Sequence, residues 1–225
     1  MLSVITSRKA RYFFFKRLNI TVILAVLIGI FSQSASSHPH SWIVTKTMIE
    51  GDENAITGLK MEWTFDAMTS TYTLDGEDMS PQHKEETLQK VSDSIIKNML
   101  NEHYFTYFYQ GETPIRYKEV TDSTLALVKG KLIFSFDLEL DKPLELNTND
   151  LNLSIYDHTY YIDMYWKNKK DIDLSESLKP YCKVDLIQPK PSSKQMTYAM
   201  SLPADANPDY ELGQLFTQKV LLNCQ

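Results

Sequence analysis

Leu59-Lys60-Met61-Glu62-Trp63-Thr64-Phe65-Asp66 alternates apolar and polar residues without a break. Successive side chains of a strand point to opposite faces. This period of two therefore buries Leu59, Met61, Trp63 and Phe65 on one side and turns Lys60, Glu62, Thr64 and Asp66 to the other. Leu132, Phe134, Phe136, Leu138 and Leu140 repeat the pattern. Shorter strands are expected at 41–50, 104–109, 113–120, 123–129, 151–156, 160–166 and 181–188, with turns at Gln110-Gly111 and Lys129-Gly130. One helix stands out among them. Ser80 can cap it, Pro81 suits its first position, and Glu85 and Glu86 fall in its first turn. Leu88, Val91, Ile95 and Met99 then form a stripe at helical spacing that runs to about Glu102. Short helices are expected at 67–74 and 209–218. Residues 189–209 hold four prolines and read as a loop. The fold class is expected to be α+β: a β-rich single domain of antiparallel strands with one prominent helix.

The start of the chain carries an address rather than a fold. Residues 1–37 hold five basic residues (Arg8, Lys9, Arg11, Lys16, Arg17) and no acid, followed by an apolar run from Leu18 to Phe31 and then Ser32-Gln33-Ser34-Ala35-Ser36-Ser37. A basic segment, an apolar core and small residues at a cut site describe a cleaved secretory signal peptide, with Ala35 and Ser37 suited to the two positions that precede His38. The apolar core is shorter than the roughly 20 residues a membrane span needs. No cysteine follows it, so no lipid anchor is expected there. The expectation is a single periplasmic domain spanning 38–225.

Composition narrows the function classes. The whole chain carries a net charge of −6, and removing residues 1–37 leaves 18 basic against 29 acidic residues, or −11. Such a balance argues against nucleic acid, which is bound through basic patches. It suits cations or simply a solvated acidic surface. Cys182 and Cys224 are the only cysteines. Outside the cytoplasm such a pair is expected to form a disulfide, which constrains the unfolded chain by about 3–4 kcal/mol. A Cys–His metal site is the minor alternative. The sequence has no Gly-rich phosphate loop, no nucleophile elbow, no His-Glu-x-x-His and no Cys-x-x-Cys, which lowers the odds of an enzyme.

The positive chemical signal is His38-Pro39-His40-Ser41-Trp42. In an extended chain the side chains at i and i+2 point the same way, so two imidazoles and a free amine can converge on one ion. Imidazole suits zinc, copper and nickel. Pro39 has no N–H to lose, so the square-planar amino-terminal copper or nickel site with histidine third is blocked. Against this stands the ordinary alternative of a frayed terminus with solvated histidines. A second cluster, Tyr156-Asp157-His158-Thr159-Tyr160-Tyr161-Ile162-Asp163, falls between two expected strands. It reads either as an Asx-type turn or as a source of ligands from Asp157 and His158. Asp66 ends an alternating strand, His103 follows the long helix as a partner for its dipole, and His83 sits in that helix's first turn.

Taken together, His38-Pro39-His40-x-Trp42, Trp63-Thr64-Phe65-Asp66, Tyr104-Phe105-Thr106, Leu132-x-Phe134-x-Phe136, Tyr156-Asp157-x-Thr159-Tyr160-Tyr161 and the two cysteines resemble a bacterial exported family, the domain-of-unknown-function family 1007. That family is labelled the periplasmic component of an uncharacterised ABC-type transport system. The resemblance covers essentially all of 38–225. It implies an association with nickel/cobalt-type membrane transporters, and by position it implies that His38, His40, Asp66 and Asp157 are functional. His158 stands where the family has proline, and Ala67 follows Asp66 where an acid is common.

The expected function is a periplasmic protein that binds a divalent transition metal, zinc or nickel/cobalt, as an accessory of an inner-membrane metal transporter. The expected ligands are His38, His40, Asp66 and Asp157, with His158 and His103 as secondary candidates. Two other readings stand beside it. One is a copper-dependent enzyme using the His38 amine and ring with a third nitrogen from His103 or His158. The other is a metal-free module that docks on a membrane transporter and exposes an apolar patch. Processing is directly testable: mass spectrometry of the exported protein should show His38 as its first residue, and an uncut chain would remove the free amine from consideration.

Overall fold

The computed structural model describes residues 39–147, 150–202, 209 and 211–225. The expected signal segment and His38 lie outside these described residues. In chain order the first strands are β1 (Ser41–Gly51), β2 (Ala55–Phe65), β3 (Thr106–Gln110), β4 (Thr113–Pro114), β5 (Ser123–Val128) and β6 (Lys131–Glu145). They are followed by β7 (Leu151–Ile155), β8 (Ile162–Tyr165), β9 (Ile172–Leu174), β10 (Cys182–Ile187) and β11 (Lys219–Cys224). The helices are α1 (Ala67–Thr73), α2 (Lys84–Met99), α3 (Ser193–Ser201) and α4 (Leu212–Phe216).

The strands form two sheets dominated by antiparallel pairs. The larger runs β5-β6-β2-β1-β8, with β9 also on β1, and the smaller runs β10-β11-β7-β3-β4. The alternating segments sit at the centre of the larger sheet. Trp63 lies opposite Phe134 and Leu59 opposite Leu138, and the apolar residues of both strands are buried. Trp63 meets Phe136 edge-on at 4.9 Å between centroids, a favoured aromatic geometry. Helix α2 buries Leu88, Val91 and Met99 and bonds to β5, where Ser92 Oγ lies 2.7 Å from Ser123 Oγ.

Trp166, which follows β8, and Gln218, which precedes β11, join the two sheets. The Trp166 N–H donates to Gln218 Oε1 at 2.8 Å, and Gln218 Nε2 donates back to the Trp166 carbonyl at 3.1 Å. The amide thus answers both backbone groups of one residue, as a neighbouring strand would. Gln218 Nε2 also reaches Gln188 Oε1 at 2.9 Å. The Trp166 indole N–H donates to Thr47 Oγ1 at 3.1 Å, which gives a buried hydroxyl on β1 its purpose. In the smaller sheet Cys182 and Cys224 lie directly opposite each other on β10 and β11 and are disulfide-bonded.

Several expectations need correction. There are four helices among the described residues, not one prominent helix alone, although α2 is the longest. Residues 189–209 are not simply a loop: Ser192 and Gln195 form a reciprocal capping box that starts α3. Strand β4 stops at Pro114, and the rest of 113–120 contributes only an isolated bridge from Tyr117 to Leu140. The long helix begins at Lys84, because the Ser80 hydroxyl pairs with His83 Nδ1 at 3.1 Å and caps no helical N–H. The sheets are not wholly antiparallel either, since β1 pairs parallel with both β8 and β9. Among the described residues no helix is long and apolar enough to cross a membrane.

The junction gives a stability test. Gln218→Leu keeps the bulk but leaves the buried Trp166 N–H and carbonyl without partners, at about 1–3 kcal/mol for such groups. Urea unfolding should show a loss of about 3 kcal/mol, whereas a loss under about 1 kcal/mol would mean that the two sheets are held elsewhere.

Candidate functional site

Two places gather the chemically expressive residues. The first is the start of β1. Here Ser41 pairs with Ile162 and Trp42 with Asp163 on β8, while Ile43 pairs with Phe65 on β2. The pairing reaches back one residue further, because His40 N–H donates to the Tyr161 carbonyl at 2.9 Å. The His40 ring stacks on Tyr161 with centroids 4.7 Å apart. His40 is therefore held by the sheet and is not frayed.

Two carboxylates brace this corner. Asp66 Oδ1 accepts from the N–H groups of Met68 at 2.8 Å and Thr69 at 3.0 Å, so it caps α1. Its Oδ2 accepts from the Trp42 N–H at 3.0 Å and from the Thr69 hydroxyl. The Asp66 N–H in turn donates to the Trp42 carbonyl, so Asp66 extends the β1–β2 ladder with its own backbone and side chain. Asp157 braces the turn that leads into β8. Its Oδ1 accepts from Thr159 N–H at 3.0 Å, its Oδ2 from Ile162 N–H at 3.1 Å, and the Thr159 hydroxyl reaches both oxygens. Asp157 is buried. Gly213 of α4 lies against it so closely that a Cβ there would come within 1.9 Å of the Asp157 carbonyl oxygen. Both acids thus spend their lone pairs on the local chain.

Strand parity brings a different acid to His40. The buried side of β1 carries Ser41, Ile43, Thr45, Thr47 and Ile49, so His40 and Trp42 belong to the opposite face. The parallel register puts Tyr161 and Asp163 on that face with them. Asp163 is half-buried, and desolvation pushes its pKa up. The sequence cluster contained Asp163, but without the register of β8 nothing ranked it above Asp157.

The second place is a cleft of about 400 Å³ over the smaller sheet. His103 and His158 belong here, away from the partners of Asp66. The His158 ring sits edge-on to both Tyr107 and Tyr156, at 5.0 Å from each. Tyr107 and Tyr156 pack with centroids 4.4 Å apart, and Gln214 Nε2 donates to the Tyr156 hydroxyl at 3.3 Å. Burial raises the pKa of both phenols, most for Tyr107, so both remain protonated at neutral pH. His103 is exposed, and its Nε2 accepts from Arg116 Nη1 at 3.2 Å. The sequence reading missed Tyr107, Tyr109, Arg116, Tyr156 and Gln214 as a group. The alternating aromatics from Phe105 to Tyr109 were visible, but the return of Arg116 and α4 to the same cleft was not. No three His, Cys, Asp or Glu residues among those described are grouped so as to hold a metal ion.

The cap at Asp66 has a defined pH dependence. Burial opposes its charge, but hydrogen bonds from the Thr69 hydroxyl, Trp42 N–H, Thr69 N–H and Met68 N–H outweigh that and hold its pKa below the usual 3.8. Its contribution is therefore complete above about pH 3.8 and is lost as pH falls through the depressed folded value. Asp66→Asn keeps the α1 cap but turns a donor toward the Trp42 N–H. It should cost about 1–2 kcal/mol in urea unfolding at neutral pH. That difference should shrink as pH falls below 3.8 and vanish once the depressed folded value is passed. A gap that persisted there would mean that the charge is not what Asp66 contributes.

An uncharacterized protein of Haemophilus influenzae is 33% identical to this chain over 205 residues, covering 89% of this chain and 98% of that protein. The profile of the family described as "Protein of unknown function (DUF1007)" matches residues 23–224. With nearly the whole length matched, the chain belongs to the DUF1007 family.

Proposed function

We propose that this is a periplasmic accessory protein of an inner-membrane transporter for a divalent transition metal, zinc or nickel/cobalt, and that it holds the ion at His38-Pro39-His40. One observation supports this best: His40 is fixed by its bond to Tyr161 and by the stack on that ring. Loss of the terminus to solvent was the main argument against these histidines as ligands, and His40 does not meet it. Asp66 and Asp157 then act as positioning residues. Asp66 holds β1 at the Trp42 N–H, Asp157 holds the start of the neighbouring β8 at the Ile162 N–H, and Asp163 is the acid that shares the face of His40.

A site of this composition is incomplete on its own. Two imidazoles, an amine and one carboxylate leave coordination positions to water or to ligands from the transporter, which suits capture and hand-over better than permanent storage. Metal-free docking is the second reading, and it has its own support. Trp42 and Tyr161 are exposed at the start of β1, and Met68 and Tyr72 are exposed on α1, which Asp66 caps beside it. These apolar groups lie on the elements that meet at the proposed metal corner and are suited to meet a protein partner.

Titration calorimetry with zinc and nickel, on protein cut to start at His38, tests the reading. His38→Ala/His40→Ala should abolish binding with the melting temperature unchanged. Asp163→Asn should weaken it about tenfold or more, while Thr159→Val, which loosens the loop around Asp157, should weaken it less. Equal affinity in the wild type and the double-histidine variant would leave the docking module as the function.

A further inference from the structure

The cleft over the smaller sheet holds His103 and His158, the secondary metal candidates, and lies apart from the proposed corner at His38-Pro39-His40. Beside the cleft runs a stretch of three consecutive residues in the left-handed region, His103, Tyr104 and Phe105, with φ of 51°, 55° and 51°, of which His103 and Tyr104 line the cleft. None is glycine. Such conformations are costly for ordinary side chains and persist only where the surroundings enforce them, commonly at ligand sites. Here the enforcement is visible. The Tyr104 hydroxyl accepts from the Val120 N–H at 3.0 Å, Thr106 Oγ1 donates to the Tyr104 carbonyl at 2.9 Å, and the Phe105 carbonyl accepts from Tyr156 N–H at 3.0 Å. The effect of the turn is to bring His103 to Tyr107, 6.1 Å between ring centroids, and within reach of Arg116.

The lining of the cleft runs against the charge of the protein, although Glu102 and Asp157 lie near enough to act on Tyr107 from behind it. In a chain with 29 acidic residues, no Asp or Glu among the described residues lines it, whereas Arg116, His103 and His158 do. A guanidinium only donates hydrogen bonds, so its contact fixes His103 Nε2 as an acceptor and leaves the ring proton of the neutral form on Nδ1. Tyr107 and Tyr156, both buried and packed on each other, add protonated aromatic lining. The volume of about 400 Å³ falls in the range of small-molecule sites.

We infer that this cleft binds a small aromatic carboxylate, its carboxylate paired with Arg116 and an imidazole and its ring packed on the aromatic lining that Tyr107 and Tyr156 contribute. Guanidinium–carboxylate pairing supplies the directional, charge-assisted contact, and the tyrosines supply area that a bare anion cannot use. The inference is independent of the N-terminal histidines.

The probes are benzoate, phenylacetate and 4-hydroxyphenylacetate, with benzyl alcohol, benzylamine and inorganic phosphate as comparisons. They are titrated up to about 10 mM into chelator-treated, full mature protein and followed by calorimetry and by NMR shifts of the tyrosine rings. At least one aromatic carboxylate should bind and shift the Tyr107 and Tyr156 resonances, at least about tenfold tighter than benzyl alcohol or phosphate. Arg116 is exposed, so Arg116→Gln should keep the melting temperature and lose about tenfold in affinity. His38→Ala/His40→Ala should bind the carboxylate as the wild type does. No binding by any of the three carboxylates, equal binding of phosphate or benzyl alcohol, or an unchanged affinity in Arg116→Gln would overturn the inference. So would loss of binding in the double-histidine variant, which would place the carboxylate on a metal at the chain start.

Discussion

One side chain, Gln218, allows the two sheets to share a core. Where β8 ends, Trp166 turns inward with a backbone N–H and carbonyl that no strand can reach, and the Gln218 amide satisfies both. Buried backbone groups must be paired, so the turn of Trp166 into the interior and the placement of Gln218 before β11 are one event. Other features follow from it. The Trp166 indole gives Thr47 a partner on the buried side of β1. The edge of the larger sheet is split, since the three steps from Val44 to Thr47 on β1 match the seven from Tyr165 to Ile172 on its partner. The surplus is looped out through a turn held by a capping box between Asn168 and Asp171.

The segment from Tyr156 to Ile162 ties the two candidate sites to this frame. Tyr156 and His158 face the cleft, Asp157 turns inward and grips Thr159 and Ile162, and Tyr161 carries His40. Gly213 of α4 closes from behind, donating its N–H to the His158 carbonyl at 2.8 Å. The order of side chains along this short stretch therefore sorts them into cleft, brace and corner. A bulkier residue at 213 would disturb all three together.

Much of the frame was legible in the sequence because it follows from local periodicity. β1, β2, β5, β6, β7 and β10 lie where alternation placed them, α1 and α2 were found within a few residues, and the two cysteines are bonded to each other as expected. β11 was missed although Val220, Leu222 and Cys224 alternate, because the run starts one residue after the helix expected over 209–218, is short, and was assigned to no element. β9 is too short to carry a pattern at all. α3 was hidden by the flanking prolines, which outweighed the Ser192-to-Gln195 capping signal. The roles of Asp66 and Asp157 were not legible for a different reason. A carboxylate at a strand end looks the same in sequence whether it awaits an ion or already holds backbone donors, three at Asp66 and two at Asp157. The left-handed run at His103 to Phe105 was equally invisible, because it is imposed by tertiary bonds against the preferences of its own residues.

The parallel pairing of β1 has a consequence for the order of assembly. β1 and β2 can form a hairpin as soon as about 65 residues exist, but the other edge of β1 stays open until residues 162–174 arrive. A strand whose second partner lies more than a hundred residues downstream closes late, since long loops must be ordered before the contact is made. Through that interval the first strand offers an unpaired edge, the kind that invites wrong partners. A chain emerging amino end first would carry this open edge for most of its delivery. The lysine at position 46, the glutamate at 50 and the short, interrupted partner strands on that side are features that keep such an edge from extending into foreign sheets.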